Sequence, residues 1–276
     1  MRRLSLLLAL LAGVALATIA GAQSAGVPAA VDHLLEGFAS DSCVRRWQAI
    51  EEYVDRMIGR VDTYEEPGED VSERLRERAR SAAPRVERKV RDVTAYTDEF
   101  KAAYEQLAKL AATGNRSDSD RDVWRKQLEP LTKALDDSSA TYLVRRLAAS
   151  VIAGSARKSE TARAEGWGRP VPRLLESNDP TARLVASIQA AQGNLLWEQA
   201  PTKGRVVPEL IRGLDVDPFG ARYDSARSLL EVSGQPVERF CVDPTDSAVD
   251  RAGAVRTWRA WWDQNKARIS GDRIPQ

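Results

Sequence analysis

An arginine recurs in one setting along this chain, and that setting constrains the fold more than any other feature. An apolar or small residue precedes it, and a small residue follows four positions later. The instances are Val44-Arg45 with Ala49, Val144-Arg145 with Ala149, Ala182-Arg183 with Ser187, Ala221-Arg222 with Ala226, and Val255-Arg256 with Ala260. These residue types are common, so the phase carries the weight: the last four arginines, at 145, 183, 222 and 256, lie 38, 39 and 34 positions apart. Pro130, Pro172 and Pro208 keep a similar rhythm. Each is expected in the first turn of a helix, where the missing N–H has no intrahelical partner. Asp136-Asp137, Asn178-Asp179-Pro180 and the stretch from Asp215 to Pro218 then read as turns that cap the following helix.

Between these markers apolar residues step by three and four, and strict period-two alternation is absent, which predicts an all-α chain. The first unit reads as a short helix from Ala30 to Phe38, a turn at Ser40-Asp41, and a longer helix from Ser42 to Ile58. Such a hairpin cannot bury its own apolar face, so neighbouring copies are expected.

The pattern resembles HEAT repeats, and in particular the short HEAT-like repeats of exported bacterial proteins, over about residues 29–58 and 123–265. Ser177-Asn178-Asp179-Pro180-Thr181-Ala182-Arg183 is its most specific piece. The resemblance implies an α-solenoid and protein binding, with no reaction and no cofactor. It also implies a ladder of pairs, an Asp in each turn with an Arg early in the second helix: Asp41 with Arg45, Asp179 with Arg183, Asp217 with Arg222. Arg145 and Arg256 stand at matching places, although Asp137 is too far from Arg145 for the same geometry. The ending, Ala254 to Trp262, looks like the final helix of that family.

The interval of 100 residues between Arg45 and Arg145 departs from the repeat. It predicts a long helical insertion after the first hairpin, with two degenerate repeats as the alternative. From Leu75 through Ala79, Ala82, Val86, Val90, Val93, Thr97, Phe100, Tyr104 and Leu107 to Ala111, apolar or small residues form a seam, broken at Pro84. Packing within the molecule is the expectation, and a self-associating coiled coil is the alternative. The same segment holds Arg74, Arg76, Arg78, Arg80, Arg85, Arg88, Lys89 and Arg91 against Glu77 and Glu87. This is a candidate patch for an anionic polymer, lipid headgroups or nucleic acid. Equally, such arginines cover a seam with their aliphatic stems and pair with nearby acids, which is the favoured reading.

Met1-Arg2-Arg3, the apolar run from Leu4 to Ala20 and the small residues Ala20 and Ala22 read as a secretory signal peptide cleaved after Ala22, with an uncleaved anchor as the alternative. The resulting division is 1–22 signal peptide, 23–68 first hairpin and linker, 69–122 charged insertion, and 123–276 repeats with a Trp-rich last helix. Overall the chain carries 41 basic and 40 acidic residues, so no long-range field draws it to nucleic acid. One His and two distant Cys leave too few soft ligands for the usual zinc sites. Cys43 and Cys241 are expected as free thiols, because a repeat touches only its neighbours, with a bridge as the alternative. Trp258, Trp261 and Trp262 lie on one helical face and are expected to close the terminal core rather than stack on sugars. His33 lacks a companion nucleophile motif. Asp215-Val216-Asp217 with Gly220 fails as a calcium loop, since Ala226 stands where a bidentate Glu is needed. The expectation is an exported, non-enzymatic scaffold with a protein partner held on the second helices, without metal or cofactor. The alternative is an envelope hydrolase or lyase with its site between insertion and repeats.

Overall fold

The computed structural model describes residues 27–63, 71–111, 120–158, 166–195 and 201–274. Its helices are α1 (Val27–Ala39), α2 (Cys43–Thr63), α3 (Val71–Ala79), α4 (Pro84–Ala111), α5 (Asp120–Asp136) and α6 (Tyr142–Lys158). There follow α7 (Pro170–Arg173) with a 3-10 turn (Leu174–Glu176), α8 (Pro180–Ala191), α9 (Lys203–Gly213), α10 (Phe219–Ser233), α11 (Val237–Phe240) and α12 (Ala248–Ile269). The chain is all-α; an isolated bridge, Thr202 to Arg273, stands outside the helices. Residues 1–22 and Trp197 lie outside the described residues, as does the Trp124 side chain.

Five helix pairs carry the recurring arginine: α1/α2, α5/α6, α7 with its 3-10 turn and α8, α9/α10, and α11/α12. Local chemistry sets their boundaries. Asp179 caps α8, its carboxylate accepting from the Thr181 and Ala182 N–H groups, and Pro180 opens the helix. Ser247 caps α12, and Gly234, with φ of 63°, ends α10 in the left-handed region that suits glycine. Pro130 and Pro208 sit inside α5 and α9, not in first turns as the rhythm predicts. Buried Leu128, Leu131 and Leu135 around the first, and Val206, Val207 and Leu210 around the second, outweigh the lost backbone bond.

The recurring arginine is real but is shifted in the end hairpins. Arg46, Arg145, Arg183, Arg222 and Arg251 are each the fourth residue of a second helix. A side chain there tilts back over the first turn and reaches the preceding loop. Arg46 donates to the Ser40 and Asp41 carbonyls, Arg183 to Ser177, Arg222 to Val216 and Asp217, and Arg251 to Asp246. Arg145 follows a longer turn and donates to the Leu135 carbonyl instead. The expected carboxylate ladder is therefore replaced largely by guanidinium-to-carbonyl clamps. Arg45 and Arg256 are exposed. The carboxylate of Asp179 takes Arg145 of the preceding hairpin at 2.6 Å, while Arg183 turns to Glu209 at 2.7 Å.

The insertion is an interior strut. Helices α3 and α4 break at Pro84, and the seam residues Leu75, Ala79, Val86, Val90, Val93, Thr97, Phe100, Tyr104 and Leu107 are buried. Helix α4 packs on α1, α2 and α3 and on α5, α6 and α10. Tyr96 reaches Phe219 and Tyr223 of α10, and Gly220 leaves the room: a Cβ there would come within 2.5 Å of the Tyr96 ring. The second helices α6, α8 and α10 are mostly buried, so the face expected to hold a partner is largely occupied. At the far end Trp258 is fully buried and donates to the Phe240 carbonyl, while Trp261 and Trp262 pack half-buried against the core.

Cys43 and Cys241 form a disulfide across 198 positions, correcting the expectation of free thiols. Nearest-neighbour reasoning fails because α4 fills the centre and the last loop returns to the first hairpin, with α11 packed on α2.

Candidate functional site

The closure beside the disulfide is built around two charges wholly removed from water. Asp243, in the loop before α12, accepts from Arg46 Nε at 2.5 Å and Lys89 Nζ at 2.7 Å on one oxygen. Its other oxygen takes the backbone N–H and hydroxyl of Thr245. Lys89 donates as well to Thr245 Oγ1 at 2.9 Å and Asp246 Oδ1 at 2.6 Å, so its three ammonium protons have three acceptors. Burial pushes the Asp243 carboxyl up, but Lys89, Thr245 and Arg46 outweigh it and hold the group below the usual carboxylate range. An ammonium so saturated has no lone pair or free proton to offer a substrate. Its role is to join α2, α4 and the last loop.

A second buried cluster ties α6 to α10. Asp224 accepts from the Tyr142 hydroxyl at 2.7 Å and lies 2.7 Å from Arg146 Nε. Burial, then the Asp224 charge, raises Tyr142 well above the ordinary phenol range. Burial and nearby Arg251 push Arg222 down to about 10, which leaves it charged at neutral pH. His33 is exposed on α1, 3.4 Å from Glu52.

The basic run does not form one patch. Lys89 belongs to the core, Arg76 bonds Thr94 and Asp98, Arg78 bonds Asp32 at 2.5 Å, and Arg91 lies 3.9 Å from Asp92. Arg74 is half-buried and Arg80 exposed. Arg85 and Arg88 instead share an open cavity of about 420 Å³ with Pro84 and Asp250, at the start of α4. Arg88 Nε is shielded from solvent and has no hydrogen-bond acceptor. Arg85 lies 4.0 Å from Asp246.

Arg46, Asp243, Asp224, Arg146 and Arg251 are the residues that sequence reasoning missed. The usable signal was position four after each second-helix start, which selects Arg46 and Arg251 over Arg45 and Arg256. No comparable local signal marks Asp243, whose partners lie about 150 to 200 positions away. Among the described residues no group of three or more His, Cys, Asp or Glu side chains is arranged to hold a metal ion, and no helix is long and apolar enough to cross a membrane. Comparison with protein-family models, curated proteins and solved structures finds no match.

Proposed function

We propose that the protein is an exported, non-enzymatic scaffold of the HEAT-repeat type that holds a protein partner. The observation behind this reading is the five-fold recurrence of an arginine at the fourth position of a second helix, clamping its own hairpin. Repeated hairpins of this kind serve as extended platforms for other proteins. The Cys43–Cys241 disulfide supports export, since such bonds persist in oxidising compartments. Because α6, α8 and α10 are largely covered, the partner docks on the exposed side chains of the first helices and of α12. Crosslinking in intact cells, followed by identification of the adducts, tests the reading. One stoichiometric protein partner, with the mature chain beginning at Gln23, is the expected result. Recovery of uncrosslinked protein alone, or of protein confined to the cytoplasm, sinks it.

A further inference from the structure

We propose that the Cys43–Cys241 disulfide is a redox-sensitive lock, opened by a dithiol reductant and closed again without unfolding of the chain. The inference concerns the covalent closure alone and does not depend on the partner reading.

Two closures join the same two segments. Arg46, three residues after Cys43, bonds Asp243 at 2.5 Å, and Asp243 stands two residues after Cys241. Lys89 reaches the same carboxylate from α4 at 2.7 Å, and α11 packs on α2 beside them. Arg46, Lys89 and Asp243 are buried, whereas both cysteines are only half-buried. The buried ion cluster holds the two sulfurs near each other once the S–S bond is cut. Re-forming the bond is then an intramolecular step at high effective concentration. What the bond adds is a constraint across 198 positions, one that persists when the noncovalent contacts open.

The two sulfurs are not equivalent. Cys43 is the first residue of α2, a helix of 21 residues with no acid in its first turn. The positive end of the helix dipole favours a thiolate there. Cys241 follows the C-terminal end of the short α11, which offers no such field. Charged neighbours in the sequence balance in number and leave this difference standing: Asp41 against Arg45, Glu238 against Arg239, and Arg46 against its partner Asp243. Cys43 is therefore the better leaving group.

Opening proceeds by thiol–disulfide exchange. One thiolate of the dithiol attacks Cys241 Sγ, a new S–S bond forms, and the old bond breaks with its electron pair departing on Cys43 Sγ. The second thiol of the reductant, once deprotonated, displaces Cys241. Two electrons and two protons have then passed to the protein, which holds two thiols, and the dithiol has become a disulfide. The oxidised chain is locked shut, and the reduced chain is closed by the ion cluster alone, so that its first hairpin can open.

The test takes the purified full chain at neutral pH, without denaturant, through dithiothreitol and then oxidised glutathione. Dithiothreitol should reduce the bond, giving two alkylatable cysteines with helical circular dichroism unchanged, and oxidised glutathione should restore it in monomers. On reduction, hydrogen exchange in α1 and α2 should quicken by about tenfold or more while α8 to α10 stay as they were. A brief pulse of reduced glutathione, quenched with acid and mapped by peptide, should leave the glutathionyl group on Cys241. A bond that yields only in denaturant is purely structural and overturns the proposal. Loss of helix on reduction, re-oxidation into linked dimers, capture of glutathione on Cys43, or unchanged exchange in the first hairpin would each overturn it as well.

Discussion

The stack of α8, α9 and α10 and the junction between the first hairpin and the last loop are held by different forces. In the stack, Leu184, Val185, Ile188, Val206, Val207 and Leu210 are buried between helices that follow one another in the chain. Contacts of this kind are non-directional and additive, and each hairpin gains as its neighbour docks. In the junction, Arg46, Lys89, Asp243 and Asp246 meet beside a disulfide that spans 198 positions. An ion cluster out of water is favourable only when every member is in place. The stack is therefore built in increments, whereas the closure latches as a unit.

This contrast is sharpest where the latch is removed. Replacing both cysteines with serine should lower stability by about 5 kcal/mol on the chain-entropy model, because the closed loop is so long. Equilibrium denaturation should then show the first hairpin losing structure before the stack, as followed by hydrogen exchange. Asp243→Ala leaves Lys89 and Arg46 buried without their shared acceptor, for a loss of about 3–5 kcal/mol. The Asp243 carboxyl has a folded pKa below its unfolded value, so its contribution is fully present above about pH 4. It is lost as the pH falls through the folded pKa, and Asp243→Asn should flatten that part of an acid titration.

Within the stack, and on α12 where it packs against α9, the expected effects are smaller. A Cβ on Gly213 would meet Ser225 Oγ and Leu184 Cδ1, so Gly213→Ala should cost about 1–3 kcal/mol through overpacking. Arg251→Ala removes a clamp and should cost about 1–3 kcal/mol, while Arg256→Ala, at an exposed position, should stay within about 0.5 kcal/mol. Equal losses at 251 and 256 would contradict the fourth-position register.

What could be read from the sequence follows the same division. The α4 seam, the break at Pro84 and the Asp179 cap depend on residues within a few turns, and local spacing carries them. The end arginines were misphased because Arg45 and Arg46 both satisfy a loose pattern, and only the true helix start separates them. Pro130 and Pro208 misled because tertiary burial overrides a local penalty. Asp243, Lys89 and Cys241 carried no readable signal, since their partners come from segments far away in the chain and their meeting depends on where α4 runs. Lys89, read as one member of a basic run, differs from its neighbours only in three dimensions, with side-chain exposure of 0%.

Closure of the chain end on its beginning is the central claim, and peptide mapping of unreduced protein tests it most directly. Alkylation in denaturant, then digestion without reductant, should give one linked pair of peptides containing Cys43 and Cys241, and no alkylated cysteine. Both cysteines recovered as alkylated, unlinked peptides would contradict the account.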